Sequence, residues 1–246
     1  MHAVGIIPAR FGATRFPGKP LVPIAGKPML QHVFEGARTA KRLREVIVAT
    51  DDARIAAACA AFGARAVMTS PAHATGTDRI AEAAAALDAA IVVNVQGDEP
   101  LIAGFVIDAV VDALAAAPER GIATAVHRAD ADAATDPNRV KVVMDRSGDA
   151  LYFSRAAIPH TFRDDAAPAL WQHVGLYAYR RELLLELVTL PQTPAERAER
   201  LEQLRALEHG HEIRCAVIDG WRSVPVDVPE DVARVEAALA ARGRRE

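Results

Sequence analysis

Cysteine and aromatic residues are scarce in this chain, and neither sign of charge dominates. The 246 residues include only two cysteines, Cys59 and Cys215. Each stands apart from other Cys or His at metal-ligand spacing, so neither a disulfide framework nor a zinc site is expected, and both read as buried thiols. The 29 Lys and Arg are offset by 32 Asp and Glu, a net charge of −3, which argues against nucleic-acid binding through bulk positive charge. No apolar run approaches the roughly 20 residues that span a bilayer, and the opening MHAVGIIPAR has no signal-peptide layout. A cytoplasmic protein that engages neither nucleic acid nor membrane is the expectation. No Gly- or Ser-rich linker and no long repeat interrupts the chain, so one domain over 1–246 is expected.

Hydrophobic residues make up 51% of the chain, enough for a large core. Compact apolar runs over 3–8, 45–50 and 90–95 read as buried strands. The intervening stretches 29–42, 53–62 and 78–87 read as helices, as does 103–117, where Val106, Val110 and Leu114 recur at helical spacing. This βαβ rhythm predicts an α/β fold: a mostly parallel central sheet with helices on both faces and ligands beyond the carboxyl ends of the strands. After Gly121 the rhythm changes. Strands over 122–127, 140–144 and 151–154 follow without long helices between them, which predicts a small antiparallel annex over 122–170. Further strands are expected over 173–179 and 213–217, and helices over 180–188, 196–208 and 230–241.

The most informative segment is IIPARFGATRFPGKPLVPIAGKPML, residues 6–30. It sets Ala9, Arg10, Arg15 and Lys19 in a loop punctuated by Gly and Pro directly after a buried strand, where N–H groups and fixed positive charges can meet phosphate oxygens. The alternative is a solvated basic connection. The Gly-Lys-Ser/Thr ending of a Walker loop is missing, as are the closely spaced glycines of a dinucleotide fingerprint, which disfavours an ordinary ATPase or dehydrogenase. Gly26 and Pro28 read as the turn and first position of the next helix.

Acidic residues supply the second group. Asp98, in Asn94-Val95-Gln96-Gly97-Asp98-Glu99-Pro100, falls at the carboxyl end of a central strand. It can serve as one of the one or two carboxylates that magnesium takes, or as a turn or helix-capping residue. Asp227, in the strand-like Val224–Asp231 stretch, is a second candidate with a similar alternative. Glu99, Glu230 and Asp231 read as loop or helix-start charges. Gly76 and Arg79 lie in Ala74-Thr75-Gly76-Thr77-Asp78-Arg79, a small-residue entry to a helix whose N–H groups can meet an anion or a base carbonyl, with Thr77 as the capping candidate.

Five separated motifs, in order, resemble the 3-deoxy-manno-octulosonate (Kdo) cytidylyltransferases, also called CMP-Kdo synthetases. They are Pro-Ala-Arg with Thr-Arg-Phe-Pro-Gly-Lys-Pro-Leu, Val-Gln-Gly-Asp-Glu-Pro, Tyr-Phe-Ser-Arg ending at Arg155, His173-Val174-Gly175-Leu176-Tyr177, and Leu201-Glu202-Gln203-Leu204-Arg205. The family has Ser and Leu where this chain has Ala13 and Phe16. The resemblance implies a nucleotide-diphospho-sugar transferase fold and transfer of CMP from CTP to the anomeric hydroxyl of Kdo, in a homodimer that supplies lipopolysaccharide synthesis. It also implies magnesium held by Asp98 and Asp227, with Lys19, Arg10 and Asp98 catalytic. Ala9, Arg10, Arg15, Lys19, Gly76, Arg79 and Gln96 would then bind the nucleotide, and Gln96, Arg155, His173, Tyr177, Glu202 and Gln203 the sugar acid. Rival expectations are another sugar acid, such as 8-amino-Kdo or a sialic acid, and a non-catalytic nucleotide-binding module.

Overall fold

The computed structural model describes residues 3–12, 16–160 and 169–242. The chain divides into two compact units, one formed by residues 1–108 with 223–246 and the other by residues 109–222. The fold is the expected mixed α/β arrangement, mostly parallel with a small antiparallel part. Apart from the strand-like stretch around Asp227, every expected strand is found within two residues of its expected ends.

In the first unit, four parallel strands lie in the order Ile91–Asn94, Ala3–Ala9, Leu43–Thr50, Arg65–Met68. Ala3–Ala9 and Ile91–Asn94 are buried almost throughout, which is why they read as unbroken apolar runs. Arg65–Met68 was not expected: it is four residues long, with exposed ends, and carries too little apolar patterning to stand out. The helices are Met29–Ala37, Ala53–Ala61, Gly76–Ala85, Gly104–Ala116, which crosses into residues 109–222, and Asp231–Arg242. Met29–Ala37 ends earlier than expected, where the Arg38 N–H turns back to Phe34 and Gly36.

Before that helix, Pro23–Ile24 and Lys27–Pro28 form a small hairpin. Its two turn residues, Ala25 and Gly26, both have positive φ, 48° and 81°, the backbone of a tight hairpin turn. Pro28 is therefore an extended residue capping the helix, with ψ 141°, and not its first helical position. Ile24, Met29, Leu101, Val226 and Val235 form one buried cluster, with Phe16, Val224 and Leu239 packed against it. Burying an aliphatic side chain of this size contributes roughly 1.5–3 kcal/mol. The cluster ties the loop after the first strand to the segment before the last helix, although these are some 200 residues apart.

In the second unit, Ile122–Arg128 pairs in parallel with Ile213–Val217 and antiparallel with Trp171–Arg180. Lys141–Met144 pairs antiparallel with both Trp171–Arg180 and Ala150–Ser154, which completes the annex. A bulge falls between Val174 and Tyr177, and the Thr124 hydroxyl sits there within reach of the carbonyls of Val174 and Leu176, at 3.2 and 2.9 Å. The short helix Ala131–Thr135 is capped by Asp130.

The helix expected over 196–208 is two helices, Pro194–Glu199 and Gln203–Glu208, broken at Arg200 with φ 53°. A buried ion pair spans the break, Arg205 donating to both Glu196 oxygens at 2.9 and 2.5 Å. Burial alone would raise the Glu196 pKa, but the Arg205 hydrogen bonds and charge hold it below the usual value. Both cysteines are buried, and burial pushes the Cys59 thiol up to about 11 and that of Cys215 to about 12. Among the described residues no helix is long and apolar enough to cross a membrane.

Candidate active site

A cavity of about 330 Å³ opens in the first unit. Its walls include Ala9, Arg10, Lys19, Gly76, Arg79 and Gln96, together with Asp98 and Asp227. Every residue expected to touch nucleotide or metal lines it, apart from Arg15, which lies outside the described residues. Four stretches of sequence supply these groups, one of them the start of the helix Gly76–Ala85 with Gly76 and Arg79. The loop after Ala3–Ala9 brings Arg10 and Lys19, the turn after Ile91–Asn94 brings Gln96 and Asp98, and the segment before Asp231–Arg242 brings Asp227.

Lys19 is the hub. Its ammonium donates to Asp98 Oδ2 at 2.9 Å and to the Val226 carbonyl at 2.8 Å, and it stands 3.9 Å from Asp227 Oδ1. Backbone bonds hold the two aspartates: Val226 N–H donates to the Asp98 carbonyl at 2.9 Å, and Asp227 and Val228 N–H donate to Asp231 at 2.8 and 3.1 Å. The stretch that reads as a strand around Asp227 is irregular backbone, and Asp231 turns it into the final helix. Gly97 is required by close approach, since a Cβ there would stand 2.8 Å from the Pro8 carbonyl oxygen. Arg10 is exposed at the rim.

Asp98 and Asp227 both flank one cationic nitrogen and keep about a third of their side-chain surface exposed, 31% and 41%. Two carboxylates beside a loop that carries Arg10 and Lys19 fit magnesium, which completes its octahedron with water and substrate oxygens. Among the described residues no cluster of three or more His, Cys, Asp or Glu that could hold a metal is found.

The helix Gly76–Ala85 starts at a capping box in which Thr75 Oγ1 accepts from Asp78 N–H at 3.1 Å and Asp78 accepts from Thr75 N–H at 2.9 Å. Thr75, and not Thr77, is the cap, and the Thr-x-x-Asp spacing was a readable signal for it. Arg79 lines the cavity, but its guanidinium is bound to Asp51 at 2.8 Å and to Thr69 at 2.5 Å.

One titratable wall residue was missed, and the acid that follows Asp98 in sequence was misread. His73 lines the cavity with its ring paired to Glu82, a partner nine residues away that no motif announces. Glu99 is not a surface charge. It is buried, accepts a hydrogen bond from Ser223, and burial pushes its pKa up to about 8 against the opposing effect of Ser223, with the Asp98 charge adding to the rise. At neutral pH it is therefore mostly protonated.

The residues expected for the sugar acid, other than Gln96, belong to the second unit. His173 and Tyr177 lie buried on Trp171–Arg180. The His173 ring meets Phe153 edge-on at 5.0 Å and Tyr177 at 5.3 Å, and Tyr177 stacks on Tyr179 at 5.7 Å. His173 Nε2 is 3.1 Å from the Thr124 hydroxyl. Burial drives the His173 pKa down to about 3 and raises those of both tyrosines, so all three are neutral at physiological pH. Glu202 caps the helix Gln203–Glu208. The Gln203 side-chain nitrogen is buried without a hydrogen-bond partner among the described residues, an uncommon condition for a donor.

Arg155 differs from the others. Its guanidinium donates to the carbonyls of Glu199, Pro137 and Arg200, at 2.8, 2.9 and 3.4 Å. It is bound to its own backbone surroundings and does not stand free as a fork for a carboxylate.

Known proteins are similar to this chain in sequence and fold. A family model described as cytidylyltransferase matches residues 4–213. The 3-deoxy-manno-octulosonate cytidylyltransferase of Myxococcus xanthus is 52% identical over 98% of both chains, and that of Solibacter usitatus is 51% identical over 97% of this chain and 94% of its own. A solved structure of CMP:2-keto-3-deoxy-manno-octonic acid synthetase complexed with CTP superposes with a TM-score of 0.94 at 42% identity, covering 98% of this chain and 100% of that one. The 4-diphosphocytidyl-2C-methyl-D-erythritol synthase of Anaerococcus prevotii shares the fold alone, with a TM-score of 0.63 at 13% identity.

Proposed function

The chain belongs to the 3-deoxy-manno-octulosonate cytidylyltransferase family, and from that premise we propose that it transfers CMP from CTP to Kdo with release of pyrophosphate. The observation that carries this reading is the convergence of Arg10, Lys19, Asp98 and Asp227 on one cavity. Two cations suited to phosphates there face two carboxylates suited to magnesium.

In the reaction the anomeric hydroxyl of Kdo attacks the α-phosphorus of CTP in line. The new P–O bond joins CMP to the sugar, the bond to the β-phosphate oxygen breaks, and the hydroxyl proton passes to solvent. Asp98 and Asp227 would hold magnesium, which when bound neutralises phosphate charge and acidifies the attacking hydroxyl. Lys19 and Arg10 hold the triphosphate and stabilise charge on the departing pyrophosphate. Ala9, Gly76 and Gln96 shape the nucleotide pocket around base and ribose, and Arg15 belongs to the same loop. Arg79 acts there by holding Asp51 and Thr69 in place.

His173, Tyr177, Glu202 and Gln203 of the second unit recognise the sugar acid. The unpartnered Gln203 amide supports this, because a polyhydroxylated acid supplies the acceptor it lacks. Neutral His173 and the two phenols hydrogen-bond without adding charge. The chain works as a homodimer through its antiparallel annex, where Leu151 and Tyr152 are exposed on Ala150–Ser154. It acts in the cytoplasm, and its product feeds lipopolysaccharide assembly.

The test is pyrophosphate release from CTP and magnesium in the presence of Kdo, 8-amino-Kdo or sialic acid in turn. Release with Kdo well above the other two supports the reading. Preference for either analogue reassigns the substrate, and no release with any of the three leaves a nucleotide-binding module.

A further inference from the structure

The turn that ends the strand Ala150–Ser154 is fastened to the last residue of the helix Pro194–Glu199. Both oxygens of the Glu199 carboxylate are engaged, one by the Ser154 hydroxyl at 2.6 Å and the other by the Arg155 N–H at 2.9 Å. In return the Arg155 side chain takes the Glu199 carbonyl at 2.8 Å and reaches the Arg200 carbonyl at 3.4 Å. These are carbonyls that a helix leaves open where it stops. Beneath the turn, the fully buried Lys141 donates to the Arg155 carbonyl at 2.6 Å and to that of Asp136 at 2.9 Å.

What this fastening holds is the elbow at Arg200. A non-glycine residue with φ 53° persists only where its surroundings over-determine it. Glu202 and Gln203 follow within three residues, and the Gln203 amide nitrogen is buried without a partner among the described residues. A donor in that condition does not hold its own position, so the backbone beneath it must be fixed from elsewhere. The contacts around Glu199 are adjacent in sequence and supply that restraint.

We propose that Glu199 is a positioning residue for sugar-acid recognition: with Arg155 it locks the Arg200 elbow so that Glu202 and Gln203 are presented in binding geometry before substrate arrives. This rests on the reading of Glu202 and Gln203 as sugar-acid contacts. It gives Arg155 a different task from gripping the sugar carboxylate.

The experiment uses the full chain and the variants Glu199→Ala, Glu199→Gln and Ser154→Ala. KM for Kdo at saturating CTP, KM for CTP at saturating Kdo, and amide hydrogen exchange over 199–205 without substrates are measured for each. Glu199→Ala should raise KM for Kdo about tenfold, leave KM for CTP within about twofold, and speed exchange over 199–205. Glu199→Gln, which keeps the Ser154 contact, and Ser154→Ala should show the same Kdo-selective rise at about two- to fivefold. Equal rises in both KM values, or an unchanged KM for Kdo despite faster exchange, overturn the proposal. If Glu199→Ala does not fold, the other two variants decide by the same criteria. Were the wild type to leave Kdo unconverted, the functional reading would fail by itself. Exchange would then judge the lock: faster exchange in Glu199→Gln supports it, and unchanged exchange overturns it.

Discussion

The cavity around Lys19 and the aromatic cluster around His173 meet charge in opposite ways. At the first, a lysine and two aspartates stay charged partners of one another and partly exposed, side chains 16%, 31% and 41% accessible. At the second, a histidine and two tyrosines are shut into the core and kept neutral by burial. A triphosphate carries several charges and needs mobile counter-charges, whereas hydroxyls are told apart by neutral donors and acceptors at fixed places. The difference teaches that changes in the first region should cost turnover and spare the fold, while changes in the second should also be felt in stability.

The sharpest way to break that contrast is Asp98→Asn, for which kcat should fall on the order of 10³-fold at saturating magnesium. Its thermal midpoint should stay within roughly 2 °C of wild type, and a large drop there would erase the distinction. Lys19→Ala should lower kcat/KM for CTP by about 2–3 kcal/mol, roughly 30- to 150-fold, the loss typical of a charge-assisted contact. Unchanged CTP kinetics would remove Lys19 from the phosphate site.

On the other side, His173 should show itself through pH. Its folded pKa, about 3, lies below the ordinary histidine value, so the unfolded chain takes up a proton that the native chain refuses. The stability due to neutral His173 is complete above about pH 6.5 and is lost as pH falls toward the folded value. Between pH 6.5 and 5 it should account for about 2 kcal/mol. Urea unfolding of wild type and His173→Gln across that range checks this, with a flatter profile expected in the variant. The smallest effect belongs to neither site: Ala25→Gly relieves a positive φ in the hairpin before the first helix and should add about 0.5–1 kcal/mol of stability without altering kinetics.

How much of this was legible in the sequence follows from the range of the forces involved. The strands were, because burial on both faces writes an unbroken apolar run. The placement of Arg10, Lys19 and Asp98 on one cavity was, because each belongs to a short motif beside a strand end. Glu99 was not, since its burial comes from the tertiary fold and its partner Ser223 lies 124 residues away. The break at Arg200 was hidden because Leu201 and Leu204 continue the apolar spacing of one long helix across it. Arg155 was found by motif but its partners were not, as backbone carbonyls leave no mark in a sequence. His73 was missed for a similar reason, having only Glu82 to distinguish it.

The bond from Lys19 to the Val226 carbonyl spans 207 positions, and this has a consequence for the life of the chain on the ribosome. A nascent polypeptide released before that point carries the whole phosphate loop and Asp98, yet lacks the carbonyl that steadies the lysine, the second carboxylate and the apolar residues Val226 and Val235 that pack beneath the loop. The packing around Lys19 is thereby tied to synthesis past Val235. Chains terminated before Val226 would leave Ile24, Met29 and Leu101 without the two valines they pack against.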